Sequence, residues 1–214
     1  MRRKLVFILI LVLAAATLSA SPRFFLGASF NYDVNNLSPS LASNLEPIED
    51  GGVYGGGSVD VLHAVGPRFE VVLFPFGNIP VGIGVNSTTM LNIGYSTPSS
   101  GDTVGYFSRN LDFRQDLGAG IYYQQAFGTT WGMFADLSFT YSWYRMATSN
   151  VRNSKDEVEY IRFTNYGLSA NLGAYLENHG SFFKVGAVLY YDLENASEKA
   201  FRYGMTLGGG FSFG

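Results

Sequence analysis

The side chains of this sequence that could do chemistry are few, and most share one kind of place. Asp60, Arg68, Glu70, Asp112, Arg114, Asp116, Asp136, Lys184 and Arg202 fall on the polar side of segments in which apolar and polar residues alternate. Asp112, Arg114 and Asp116 stand at i, i+2 and i+4, a spacing that puts all three on one face of a strand. Five acids and four bases in such places suit ion pairing more than proton transfer: Asp60, Glu70, Asp112, Asp116 and Asp136 can meet Arg68, Arg114, Lys184 and Arg202. Two histidines are available for acid–base work. His179 sits in a short turn, Glu177-Asn178-His179-Gly180, and reads as a solvated turn residue. His63 carries the apolar-face parity of its segment, and no serine two or three residues away completes a nucleophile–base arrangement.

Other chemistries are excluded by composition. The chain has no cysteine, so disulfides, thiol catalysis, cysteine-ligated zinc and a lipidated N-terminal cysteine are ruled out. Two separated histidines do not make a metal site, and no cofactor is expected. The glycine run at 51–57 is followed by no Lys-Ser/Thr and opens no helix, so it is not a phosphate loop. A net charge of −3 gives no steering toward nucleic acid.

The elements that must position the charged residues are strands. The stretch ADLSFTYSWYR, Ala135 to Arg145, sets Ala, Leu, Phe, Tyr and Trp on one face against Asp, Ser, Thr, Ser and Tyr on the other. Similar alternation recurs over Phe24–Val34, Val53–Phe76, Pro80–Gly94, Val104–Phe127, Trp131–Arg145, Glu159–Leu176, Ser181–Leu193 and Ala200–Phe213. Gly66-Pro67 interrupts the second and suggests a bulge or kink, and the parity break at Ile161–Phe163 suggests another. The connections alternate long and short along the chain, with both ends on the short-turn side.

Residues 1–20 read as a secretory signal: Arg2, Arg3 and Lys4, then an apolar run too short to span, then small residues ending near Ala20. Residues 21–214 form one all-β unit.

The direction of the faces follows from bulk. Leu111, Phe113, Leu137, Phe139, Tyr141, Trp143, Phe183 and Leu189 exceed what eight strands enclose. The opposite face carries small residues, among them Gly118, Gly120, Gly167, Gly173, Gly186, Gly208 and Gly210, and few Lys or Glu. A water-facing surface carries more charge; charged residues are only 14% of this chain. The apolar face therefore meets lipid, and Asp136 points into the barrel. Aromatics gather near strand ends: Phe24, Tyr122, Tyr123, Phe127, Trp131, Phe211 and Phe213 at the short turns, and Tyr32, Tyr95, Tyr141, Trp143, Tyr144, Tyr160 and Tyr191 towards the long loops. These read as two interfacial girdles.

The last residues carry a resemblance. Thr206, Gly208, Phe211 and Phe213 fill the places of the C-terminal assembly signal of outer-membrane barrels, with Gly214 standing where a terminal aromatic is usual. With the signal segment and the strand pattern, the chain resembles the small OmpX/OmpA/OmpW class: an eight-stranded antiparallel up-and-down transmembrane barrel. That resemblance implies a monomer in the outer membrane of a diderm bacterium, delivered by the barrel-assembly machinery. It also implies that outer-membrane lipid and a host or surface ligand at loops 35–52 and 146–158 are partners. Some barrels of this class are histidine-using lipid-modifying enzymes or proteases. The residues of this chain favour surface interaction, adhesion or envelope integrity, with a lumen mostly plugged by paired charges. A narrow channel or an OmpW-like lateral path for small or apolar solutes comes second, and a lipid-modifying enzyme third.

Overall fold

The computed structural model describes residues 22–36, 61–76, 79–96, 103–104, 113–147, 160–194 and 201–214. The signal segment at 1–20, most of loops 35–52 and 146–158, and the sites Asp60 and Asp112 lie outside them.

Alternating sequence becomes strand because β-branched and aromatic residues fit a pleated surface and successive side chains point to opposite faces. The strands are β1 (Arg23–Asn36), β2 (Val61–Phe74), β3 (Val81–Ser96), β4 (Thr103–Val104), β5 (Phe113–Ala126), β6 (Trp131–Ala147), β7 (Tyr160–Asn178), β8 (Ser181–Asp192) and β9 (Phe201–Phe213). The two-residue β4 pairs only with the outer end of β3. The eight long strands run in the order β2-β1-β9-β8-β7-β6-β5-β3, and a further β2–β3 pairing closes the ring. All pairings are antiparallel. Closure leaves no long strand with an unpaired edge.

The faces point as bulk demands. On β6, Leu137 is 54% exposed while Asp136 is 6% exposed and Ser138 is fully buried. Phe30, Phe69, Ile83, Ile121, Leu172, Phe183, Leu189 and Leu207 likewise face outward. No helix among the described residues is long and apolar enough to cross a membrane. A largely apolar exterior on a closed sheet, interrupted on β3 and β5 by the mutually hydrogen-bonded Ser87, Thr89 and Gln115, is the form in which strands cross one, because backbone groups are satisfied within the ring.

Two irregularities differ from the sequence expectation. β2 runs straight through Gly66 and Pro67, which pair with Asn31 and Phe30 of β1. Pairing with β3 lapses at these two residues, since Pro67 has no N–H to donate. A Cβ on Gly66 would lie 1.8 Å from the Thr89 carbonyl oxygen, so only glycine allows β3 this close. The register shift falls instead between His63 and Ala64, where β3 carries one extra residue. No bulge occurs at Ile161–Phe163, because the β6–β7 register is constant from Trp131↔Leu176 to Ala147↔Tyr160. Phe163 is an apolar residue on the inward parity, accommodated by stacking on Tyr144 at 4.4 Å between ring centroids.

The β7–β8 turn is His179-Gly180, with φ of 49° and 79°. Positive φ at both residues is the type I′ pattern, whose twist matches the flanking strands and which favours Asn-Gly. His179→Asn is expected to raise stability by about 0.5 kcal/mol, the scale of relieving a non-glycine residue in this region. Urea unfolding of the refolded barrel checks this; an unchanged midpoint would show that His179 bears no strain.

Candidate functional site

The interior is built in layers from the short-turn end outward. The first layer is apolar. Phe25, Val72, Phe74, Tyr122 and Phe182 form a buried cluster from β1, β2, β5 and β8. Phe25 and Phe182 stack with centroids 3.8 Å apart. Arg23 lies over the Phe74 ring at 5.0 Å and donates to Gln124 at 2.8 Å. The remaining cavity here is about 30 Å³.

The second layer is an ion-pair network. Arg68 donates through Nε to Glu70 and through Nη2 to Asp136, each at 3.3 Å. Lys184, from the opposite wall, donates Nζ to Glu70. Asn171 donates to both oxygens of Asp136 at 2.8 and 2.9 Å. The Lys184 ammonium also lies 5.2 Å from the Phe134 ring centroid, joining this layer to the aromatic one. Two acids and two bases balance, with no net charge left in the layer.

The third layer repeats that logic with arginines. Arg114 donates to Asp33 at 2.5 Å and to Asp116 at 2.9 Å. Arg202 donates to Asp116 at 3.1 Å and to Ser142 at 3.3 Å. Its guanidinium lies 3.5 Å from the Tyr190 ring centroid. Asn165 and Asp192 close the outer side with a 2.6 Å hydrogen bond. Between the two charged layers, Asn86, Thr88, Thr140 and Ser169 line a second cavity of about 30 Å³.

The register explains why these groups meet. Inward positions alternate with outward ones, so Arg68 and Glu70 share one wall, and Arg114 and Asp116 another. Small residues make room for the long side chains. A Cβ on Gly27 would lie 2.8 Å from the Glu70 carboxylate, and one on Gly118 would lie 2.7 Å from the Asn86 amide.

Of the charged residues singled out in the sequence, Arg68, Glu70, Arg114, Asp116, Asp136, Lys184 and Arg202 are buried inside and fall into these two networks. Asp33 is a member that the charge pattern alone did not pick out; its signal was its alternation with Gly27, Ser29 and Asn31. The aromatic layer was also missed. Tyr122 and Tyr144 belong to no exterior girdle, for both point inward and are buried. Each has the parity of its strand's polar face, and that parity was the available signal. Trp131, Tyr123, Tyr141, Trp143 and Tyr191 do lie on the outside, as do Phe211 and Phe213. Thr206 is buried inside, and Gly208 packs so closely on β1 that its Cβ would lie 2.3 Å from the Ala28 carbonyl oxygen.

His63 is half-exposed on the outer wall, with Nδ1 2.8 Å from the Tyr32 hydroxyl. Among the described residues, no three His, Asp or Glu side chains gather as metal ligands.

No protein-family model and no curated protein matches the sequence. Solved structures do match the fold. Ail, the attachment invasion locus protein of Yersinia pestis, aligns at a TM-score of 0.52 with 8% identity, covering 91% of this chain and 99% of that one. Neisserial surface protein A aligns at 0.53 with 11% identity, covering 90% and 99%. A major outer membrane protein from Thermus thermophilus aligns at 0.52 with 11% identity, covering 90% and 100%. At such identities the likeness is one of architecture, and with the layers above it gives the conclusion: the chain folds as an eight-stranded antiparallel up-and-down barrel of the form shared by small bacterial outer-membrane proteins.

Proposed function

We propose that this protein is an integral barrel of a diderm outer membrane that acts at the surface, through its long loops, in adhesion or envelope integrity. The observation that carries this reading is the filling of the lumen. Among the described residues, aromatic and charged layers cross the barrel in series, and the two cavities lined by those layers are each about 30 Å³, whereas the larger hollow of about 960 Å³ runs along the exposed side chains of Leu26, Phe69, Leu117 and Phe139. Each inner cavity has room for a water or two, not for a solute with its hydration shell. An eight-stranded ring is just wide enough for side chains to fill. A scaffold so filled leaves its connecting loops as the place for function. The names of two architectural neighbours, an attachment invasion locus protein and a surface protein, are in keeping with a surface role. On this reading the partners are outer-membrane lipid around the belt, the barrel-assembly machinery at Thr206, Gly208, Phe211 and Phe213, and a surface ligand at loops 35–52 and 146–158.

The test is electrical. The mature chain, refolded into planar bilayers with its loops intact, is expected to be folded and silent. Stable current steps that change with Arg114→Ala would overturn the plugged lumen and put a narrow channel first. Deleting 35–52 or 146–158 is expected to leave the barrel folded and abolish binding to cells or matrix. Retained binding would remove the loops from the function. A lipid-modifying enzyme would instead lose activity in His63→Ala.

A further inference from the structure

We draw no further inference here: the strongest candidate, the hollow of about 960 Å³ on the outer wall along the exposed side chains of Leu26, Phe69, Leu117 and Phe139, is an apolar face of the barrel with nothing in the structure to show what covers it.

Discussion

Glu70→Ala is expected to destabilise the folded barrel by about 3–5 kcal/mol, the cost of removing one partner from a buried ion pair. Glu70 accepts from both Arg68 and Lys184, and all three side chains are buried. Arg68 keeps Asp136 when Glu70 is lost, but among the described residues Lys184 then has no carboxylate within hydrogen-bonding distance. An ammonium is then left desolvated, with the Phe134 ring on one side. The double variant Glu70→Ala/Lys184→Met removes acid and base together and is expected to recover most of the loss, because an apolar chain of similar length leaves no orphan charge. Urea titration in lipid vesicles, followed through Trp131 and Trp143, reads both variants. A loss below about 1 kcal/mol for Glu70→Ala, the scale of an exposed pair, would show that water reaches Lys184 and that the lumen is open at this level.

The second large effect is steric. Gly120→Val is expected to prevent closure of the barrel, so that no heat-modifiable species forms in vesicles. A Cβ at Gly120 would lie 2.1 Å from the Leu137 carbonyl oxygen and 2.5 Å from the Ser138 Cα. Both are backbone atoms of the neighbouring strand, so no rotamer change relieves the clash. Gly120 pairs with Ser138 across β5–β6, and shifting either strand would break a ladder that runs from Phe113↔Arg145 to Ala126↔Gly132. Overpacking of this kind exceeds the usual penalty of about 1–3 kcal/mol for an extra methylene in a core that can adjust. Normal folding of Gly120→Val would mean that β5 and β6 stand further apart than this structure places them. Gly128 is the contrast: it has open space around it and sits in a turn.

The sequence was most informative where one physical rule decides one residue at a time. Period-two alternation located the eight long strands to within about two residues at every end except the starts of β2 and β5, since the side chains of a strand can point only two ways. There the expected segments began at Val53 and Val104, whereas among the described residues β2 starts at Val61, β5 starts at Phe113 and Val104 belongs to β4. Bulk decided which way: Phe139, Tyr141 and Trp143 cannot all fit inside a ring whose opposite face is glycine and serine. The charged residues inherited their inward direction from the same parity. What parity left open was which inward groups meet. Glu70 and Lys184 are 114 positions apart and come together only because closure sets β2 and β8 on facing walls. Asp33 and Arg114 are 81 apart and meet for the same reason.

Aromatic residues showed the limit from the other side. Tyr122 and Tyr123 are neighbours of one chemistry, yet Tyr122 is buried and Tyr123 is 41% exposed. Composition reads both as interfacial, and only their place in the pleat separates them. Gly66-Pro67 is a similar case. The pair signals a disturbed ladder, but the register shift settles at His63/Ala64, where strand lengths must match around the ring. The sequence by itself thus determined the strands, their faces and the membrane-like exterior, because each depends on local period and side-chain size. Only the tertiary structure decided the layered interior, because closing the ring sets the register, and the register chooses each buried charge its partner.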